Sequence, residues 1–343
     1  MVKKGEKYIF LTLLVFMFML FSCESDDYLA VDSQGRTVVE RFGQLSVIGT
    51  NLCKSDGTPV QLRGMSSHGL QWHGKYGNPK VLQWLRDDWN SQLWRAAMYL
   101  NEGGYIQSPN LKQSVISSVE AAIEVGVYVI IDWHVHLDRN PQYYQKQAIE
   151  FFTEMAQNYG QYPNIIYEIC NEPNGEDVTW SENIKPYAEA VIAAIRQYDK
   201  NNVIIVGTPT WSQDVDHVAA DPITDFSNIM YTLHFYAGSH GDELRNKAEQ
   251  ALKDGTPLFV TEWGTSLNTG GGDYYPKESL EWIAFMQKHK ISWANWSVNN
   301  KGEASGILKF NADRNAEGGW TEKELSPSGI FMRAVLRNEK IKL

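Results

Sequence analysis

Two glutamates each end an apolar run of the sequence. The run 165–170 is followed by Glu172, and the run that begins at Pro257 ends at Glu262. A buried parallel strand delivers such a residue to the carboxyl-terminal edge of its sheet, so both carboxyl groups are predicted to face one cleft. Glycoside hydrolysis uses paired carboxyl groups in this arrangement. The pattern therefore predicts an enzyme that cleaves a polysaccharide.

Composition is consistent with this chemistry. The chain has 343 residues, of which 43% are hydrophobic and 12% aromatic. That length suits one large α/β domain, since a barrel of this class takes about 250 residues. The formal net charge of −10 argues against nucleic acid and anionic lipid as partners and permits a neutral glycan. Most of the 12 tryptophans and 17 tyrosines are expected in the core, and the remainder offer flat rings that can stack on sugars.

Apolar runs alternate with amphipathic segments along the chain, which predicts parallel β/α units. We expect an α/β fold, a (β/α)8 TIM barrel in a single domain, preceded by a short β-hairpin in which 44–48 pairs with 59–65. The barrel strands are predicted at 59–65, 92–99, 127–132, 165–170, 202–207, 229–234, 257–262 and 291–298. Helices are predicted at 79–88, 110–124, 148–159, 182–199, 242–253, 278–289 and 327–337.

The amino terminus reads as a targeting signal. Lys3, Lys4 and Lys7 precede the apolar run 8–21, which is shorter than the roughly 20 apolar residues of a transmembrane helix. The run ends in a segment that resembles a bacterial lipobox, which implies that Cys23 is lipidated. An ordinary secretory signal and an uncleaved anchor remain alternatives.

These patterns divide the chain into a lipoprotein signal peptide at 1–22, a polar tether at 23–40 and a catalytic domain at 41–340. The acidic start at 24–27 resembles export signals of some surface lipoproteins. We therefore expect an exported lipoprotein of the outer membrane, periplasmic or on the cell surface, that contacts the membrane only through its lipid.

No cofactor is predicted. The sequence has no H-E-x-x-H motif, no cluster of Cys and His, no Walker loop and no G-x-G-x-x-G after a strand. Cys170 lies inside a predicted strand and Cys53 in a turn, and a disulfide between them is left open.

Polar residues cluster at the predicted strand ends, and their motifs resemble glycoside hydrolase family five, the cellulases, over about residues 40–335. The residues Asn171-Glu172-Pro173 resemble the N-E-P motif of that family. Its other motifs occur in the same order as Gly64-Met-Ser-Ser-His68-Gly-Leu-Gln-Trp72, Leu93-Trp-Arg95-Ala-Ala-Met98, Asp132-Trp-His134, Leu233-His234-Phe-Tyr236, Thr261-Glu262-Trp-Gly264 and Trp296-Ser-Val-Asn-Asn-Lys301. The similarity looks closest to bacterial endo-β-1,4-glucanases.

The resemblance implies a role for each catalytic residue. Glu172 would be the general acid and base, and Glu262 the nucleophile, which must be ionised. Arg95 and Tyr236 would keep that carboxylate charged, by charge and by hydrogen bonding. Asn171 would bind the sugar 2-hydroxyl. Retaining chemistry predicts carboxyl groups about 5–5.5 Å apart.

Other residues are assigned to substrate or to support. His134 and His234 would bind hydroxyls or tune the two acids, the alternative being buried structural histidines. Glu168 is interpreted as a structural carboxylate paired with an internal cation. Trp296 would form the floor beside the cleavage point. The remaining predicted groove residues are His68, Trp72, Tyr99, Trp211, Lys301 and Glu303.

The sequence thus predicts a retaining endo-β-1,4-glucanase that acts as a monomer on β-glucan polysaccharides or oligosaccharides. The alternatives are the same chemistry on mixed-linkage glucan, xyloglucan or mannan, and a non-catalytic glycan-binding lipoprotein. Retention of both Glu172 and Glu262 argues against the second alternative.

Overall fold

A closed barrel of eight parallel strands forms the protein, as predicted. The computed structural model describes residues 26–312 and 315–341. The last strand pairs with the first and closes the sheet. The barrel strands are β3 (Arg63–Ser67), β4 (Leu93–Tyr99), β5 (Tyr128–His134), β6 (Ile165–Glu168), β7 (Val203–Val206), β8 (Ile229–Tyr236), β9 (Leu258–Gly264) and β10 (Trp293–Val298).

Helices surround the barrel and cover its outer face. Their starts follow the sequence: Asn78 accepts a hydrogen bond from the backbone of Val81 and precedes a proline that suits the first helical turn. The helices are α1 (Val38–Phe42), α2 (Leu70–His73), α3 (Pro79–Trp89), α4 (Lys112–Val125), α5 (Gln145–Tyr159), α6 (Lys185–Ile195), α7 (Pro209–Ser212), α8 (Asp216–Ala220), α9 (Asp242–Lys253), α10 (Pro276–Lys288) and α11 (Pro327–Leu336).

The strands are buried on both faces, since helices cover the outside and side chains fill the inside. This explains why they appear in the sequence as continuous apolar runs rather than alternating ones. Three irregularities interrupt the pairing, between β8 and β9 near Glu262, between β10 and β3 near Trp296, and between β9 and β10 near Ala294. Such shifts redirect individual side chains, and the first two lie beside the cleft.

The predicted hairpin is only partly correct. Its first strand, β1 (Ser46–Ile48), pairs with β2 (Asn51–Cys53) and not with 59–65. The turn lies at Gly49, whose φ of 60° is in the left-handed region that glycine adopts readily. Within 59–65, Pro59 forms an isolated antiparallel bridge with Cys53, and the residues from Arg63 onward belong to β3 and pair with the barrel.

Residues 26–40, predicted as part of a tether, pack against the amino-terminal end of the barrel. Tyr28 stacks under the guanidinium of Arg63, 4.2 Å from the ring centre. The side-chain amide of Gln92, which directly precedes β4, donates to the carbonyl of Asp27 at 2.7 Å. The segment differs from a free tether because its backbone carbonyls accept hydrogen bonds from Arg63 at the start of β3 and from Gln92 just before β4. The predicted signal peptide and Cys23 lie outside the described residues.

Both described cysteines are unpaired. Cys53 and Cys170 are buried free thiols, so the disulfide left open by the sequence is not formed between them. Within residues 26–312 and 315–341, no helix is long and apolar enough to span a bilayer.

Candidate active site

A single buried arginine organises the charges at the carboxyl-terminal end of the barrel. Arg95, on β4, has no solvent exposure. Its guanidinium contacts Glu168 at 2.7 Å, Glu262 at 2.9 Å and Asp132 at 3.0 Å. Burial lowers the pKa of Arg95, but these carboxylates outweigh burial and hold that pKa well above its ordinary value. The arginine therefore remains charged and fixes three acids around it.

Glu262, at the end of β9, is held from two sides. Arg95 donates to one carboxylate oxygen at 2.9 Å, and the hydroxyl of Tyr236 donates to the other at 2.7 Å. Burial and the nearby charge of Glu172 raise the pKa of Glu262, while Arg95 and Tyr236 act in the opposite direction. The carboxylate is thus oriented by the two groups that the sequence assigned to it.

Glu172 follows β6 and is joined to a buried hydrogen-bonded chain. His234 Nδ1 lies 2.9 Å from Glu172 Oε1, and its Nε2 lies 2.8 Å from the hydroxyl of Thr261. That hydroxyl donates to Glu168 at 2.5 Å, so it can only accept from His234, and Nε2 must carry a hydrogen. When the imidazole is charged, Nδ1 also carries a hydrogen and donates it to Glu172 Oε1, so the proton that Glu172 delivers as an acid must lie on its other oxygen.

The surroundings of His234 favour its charged form. Burial lowers its pKa, but hydrogen bonding toward Glu168 and Glu172 outweighs burial and raises the pKa to about 9. Glu168 lies 3.8 Å from Nε2, and the hydroxyl of Thr261 links the two groups by hydrogen bonds to each. Glu168 itself is paired with Arg95, which confirms its predicted structural role.

His134 differs from His234 because it is neutral. Burial and the charge of Arg95 lower its pKa well below the usual value. Its Nδ1 lies 2.6 Å from Asp132, and its ring stacks on Tyr99 with centroids 4.1 Å apart. A neutral ring with Nδ1 donating to Asp132 leaves Nε2 as a hydrogen-bond acceptor for a bound hydroxyl.

Above these groups lies a cleft of about 490 Å³. Its walls combine carboxylates, neutral imidazoles and aromatic rings, including two exposed tryptophans, Trp72 (50% exposed) and Trp211 (45%). Trp296 lies on the floor and is followed by a cis peptide bond. The lining residues are His68, Trp72, Tyr99, Glu102, His134, His136, Glu172, Trp211, Gln213, His234, Phe235, Tyr236, His240, Glu262, Asn268, Thr269, Gly270, Trp296, Lys301 and Glu303.

A further set of hydrogen-bonding side chains lies around Glu303 in the cleft wall. Lys301 contacts Glu303 at 2.7 Å, and His68 Nε2 lies 3.5 Å from the same carboxylate. Burial lowers the pKa of His68 to about 3, so this ring is neutral. Asn299 also donates to Glu303 at 3.2 Å, which orders the carboxylate beside open space.

The structure brings the fourteen predicted site residues to this one end of the barrel. Twelve line the cleft, while Arg95 and Asn171 lie fully buried just behind it. Asn171 accepts from Arg95 at 2.6 Å and donates to the carbonyl of Val135 at 2.9 Å. One hydrogen of its side-chain amide is left for a sugar hydroxyl.

Several residues of the site were not assigned a role from the sequence. Asp132 and His134 lie two residues apart on β5, so their side chains point to the same face of the strand, into the barrel. This spacing could have identified Asp132 as a site residue. Thr261 gave no such signal, since it directly precedes Glu262 and reaches the interior only because the β8–β9 register shifts there. Other cleft residues without a predicted role are Glu102, His136, Gln213, His240, Asn268 and Thr269.

One group of metal-ligand type occurs among residues 26–312 and 315–341. Single atoms of Glu172, His234 and Glu262 lie within 4.8 Å of one another. His234 Nδ1 is hydrogen-bonded to Glu172, and both oxygens of Glu262 accept from Arg95 and Tyr236, so these groups are already engaged within the protein in a way that suits proton transfer.

Comparison with known families and proteins gives a consistent result. Residues 53–302 match the family described as Cellulase (glycosyl hydrolase family 5). The chain is 54% identical over 301 residues to Endoglucanase A of Evansella cellulosilytica, with 88% of this chain and 61% of that protein covered. It is 53% identical to an endoglucanase of Clostridium saccharobutylicum, covering 85% of this chain and 64% of the relative. The chain thus spans about three fifths of the length of these relatives.

Solved structures share the same fold. A protein from Cytophaga hutchinsonii aligns with a TM-score of 0.85 at 48% identity, covering 88% of this chain and 97% of that one. The catalytic domain of an endoglucanase from Thermobifida fusca aligns with a TM-score of 0.83 at 39% identity, covering 87% and 99%. A variant of the latter domain was solved in complex with cellotetraose.

Proposed function

The chain belongs to the cellulase family, glycosyl hydrolase family 5, and we propose that it is a retaining endo-β-1,4-glucanase. One observation carries the proposal. An oxygen of Glu172 and an oxygen of Glu262 lie within 4.8 Å of each other in an aromatic cleft. Retaining enzymes keep their carboxyl groups about 5–5.5 Å apart, whereas inverting enzymes leave about 6.5–9.5 Å for a water. The 4.8 Å limit, which applies to one oxygen of each carboxyl group, lies below the range of inverting enzymes and so supports double displacement.

In the first step Glu262 attacks the anomeric carbon of the bound sugar. The bond between that carbon and the glycosidic oxygen breaks, and Glu172 gives its proton to the leaving oxygen. Arg95 and Tyr236 hold Glu262 in line for attack, at 2.9 and 2.7 Å. The products are a glycosyl ester on Glu262 and a shortened chain that leaves with a new hydroxyl.

In the second step water hydrolyses the ester. Glu172, now ionised, takes a proton from the water, whose oxygen attacks the anomeric carbon and releases Glu262 as a carboxylate. His234 Nδ1 lies 2.9 Å from Glu172 and donates a hydrogen bond to it, so it stabilises the charge that appears there. The anomeric configuration is inverted twice and therefore retained.

The cleft composition favours a neutral glucan as substrate. Exposed rings at Trp72 and Trp211 line the same cleft as the catalytic pair and can stack on pyranose faces. Hydrogen-bonding groups of the cleft can take up equatorial hydroxyls. The relatives named endoglucanase and the cellotetraose complex of the Thermobifida fusca domain support a β-1,4-glucan over mannan, xyloglucan or mixed-linkage glucan.

The test follows the viscosity of carboxymethylcellulose against the release of reducing ends. The expected result is a rapid fall in viscosity with few new ends, because internal bonds are cut. Glu262→Gln should abolish both signals, since an amide cannot form the ester. Glu150→Gln serves as a matched control, because that carboxylate is 63% exposed and remote from the cleft.

If the unmodified protein did not lower the viscosity, the cellulase proposal would be refuted. The same assay on mannan, xyloglucan and mixed-linkage glucan then identifies another specificity. Proton NMR of the first product separates a retaining enzyme, which releases the β-anomer, from an inverting one.

We also propose that the protein is an exported lipoprotein of the outer membrane that acts as a monomer. The basic and apolar start of the chain and the lipobox-like segment ending at Cys23 support this location. Labelled palmitate should be incorporated by the full chain expressed in a Gram-negative host, and Cys23→Ala should abolish the label. Incorporation that is unchanged in Cys23→Ala would refute lipidation at this residue.

A further inference from the structure

A turn of unusual backbone conformation borders the cleft. Thr210, Trp211 and Ser212 have φ angles of 55°, 55° and 59°, so three successive residues with side chains occupy the left-handed region. Single residues visit this region, and a β-branched threonine there is an outlier. Such a conformation persists only where surrounding contacts impose it, and it occurs most often at functional sites.

The contacts that impose it reach the backbone on both sides of Glu172. The Ser212 hydroxyl donates to the carbonyl of Asn171 at 2.6 Å. The backbone N–H of Trp211 donates to the carbonyl of Pro173 at 3.1 Å. The turn is therefore joined to the peptide before Glu172 and to the peptide after Pro173.

The peptide between Asn171 and Glu172 is held at both of its polar atoms. Its N–H donates to the carbonyl of Val135 at 3.1 Å, on the β5 side. Its C=O accepts from Ser212, on the β7 side. Gly207 at the end of β7 brings the two segments so close that an added Cβ would collide with the carbonyl of Cys170. The backbone that carries Glu172 is thus fixed between two neighbouring strands.

We infer that Ser212 is a positioning residue for the proton donor, and that the Thr210–Ser212 turn sets Glu172 and the Trp211 ring as one unit. The inference rests on the proposed function. Trp211 lines the same cleft as Glu172 and can hold the sugar whose oxygen receives the proton. Because the turn hydrogen-bonds to the peptides around Glu172, the proton donor and the leaving sugar keep a fixed relative position.

Second contacts hold the turn itself. Thr210 Oγ1 donates to Asp214 at 2.6 Å, and Asp214 pairs with Lys247 of α9 at 2.5 Å. The N–H of Ser212 donates to the carbonyl of Thr208 at 3.1 Å. The Ser212 hydroxyl also accepts from the backbone N–H of Thr208 at 3.3 Å, so its removal loses one contact inside the turn while the contacts of Thr210 and of the Ser212 N–H remain.

The test compares two substrates that differ in their need for a proton. Dinitrophenyl cellobioside has a leaving group that departs without protonation, whereas phenyl cellobioside needs general acid help. Ser212→Ala should lower kcat/KM for the phenyl substrate by about tenfold, a part of the roughly 10²–10⁴-fold that general acid catalysis contributes. The rate of the first step with the dinitrophenyl substrate, measured as the burst of dinitrophenol, should change far less. Ser212→Gly, which removes the hydroxyl but suits the left-handed backbone at this position, should show the same selective loss.

Ser279→Ala is the matched control. Its buried hydroxyl also donates to a backbone carbonyl at 2.6 Å, that of Tyr275, and it lies on α10 away from the cleft. Equal losses on both substrates in Ser212→Ala would indicate a merely structural role and overturn the inference. An unchanged phenyl reaction would overturn it as well. Failure of the unmodified protein on both cellobiosides and on carboxymethylcellulose would instead refute the proposed function.

Discussion

Removal of the Tyr236 hydroxyl should change the pH dependence of the reaction. The hydroxyl donates to Glu262 at 2.7 Å within a buried site, and this contact favours the ionised carboxylate. A hydrogen bond to a charged group contributes about 1.5–3 kcal/mol. Since one pKa unit corresponds to about 1.36 kcal/mol, Tyr236→Phe should raise the pKa of Glu262 by about one to two units.

The direction in which the pH profile moves follows from the role of Glu262 as an ionised nucleophile. A higher pKa means that a larger fraction of the enzyme is protonated and inactive in acid. The acid limb of kcat/KM should therefore move to higher pH by about one to two units, since kcat/KM reports groups of the free enzyme. The measurement is a pH profile of kcat/KM with a soluble chromogenic cellobioside.

Tyr128→Phe provides the control. Its hydroxyl is also buried and donates to the carbonyl of Gly43 at 2.7 Å, at the opposite end of the barrel. This variant should lose stability without any movement of the acid limb. If Tyr236→Phe left the acid limb in place, or moved it to lower pH, the hydrogen bond could not be what favours the ionised form of Glu262.

Three further perturbations test the buried groups. Arg95→Met should destabilise the fold by about 3–5 kcal/mol in urea denaturation, because three carboxylates lose their common cation; an unchanged midpoint would contradict this. Because the folded pKa of His234 is raised to about 9 from an ordinary 6.5, its protonation should stabilise the fold fully below the ordinary value. This stability should be lost as pH rises through about 9, and His234→Asn should remove that pH dependence from urea titrations. Gly207→Ala should lower the free energy of unfolding by about 1–3 kcal/mol, and with it the melting temperature, because the new methyl group meets the carbonyl of Cys170. An unaltered melting temperature would argue against this close approach.

The barrel was predictable because its strands are buried on both faces and its helices are amphipathic. Each strand therefore appears as an apolar run, and the polar residue that ends it lies at the carboxyl-terminal edge. Glu172 and Glu262 come from the ends of two different strands, and this rule places them together. Arg95 is the third of the seven residues of β4, lies deeper in the barrel and reaches Glu262 through its long side chain. The family resemblance added the role of each.

Features that depend on contacts distant in sequence were not predictable. The strand Asn51–Cys53 has three residues, too few to show a period. The left-handed turn around Trp211 has no glycine or asparagine to mark it, since its conformation is imposed by hydrogen bonds to the segment around Glu172. Thr261 faces the interior only because of a register shift that no local pattern specifies.

Arg63 brings the two ends of the described chain together. Its guanidinium donates to Asn338 at 2.7 Å and lies within 3.4 Å of the carbonyl of Tyr28, at the amino-terminal edge of the barrel. The cleft opens at the opposite edge. An attachment made close to Tyr28 or Asn338, whether an acyl chain, a solid support or a fused module, would therefore lie on the side of the barrel away from the cleft. Immobilisation at these positions should leave access to long polymers unobstructed.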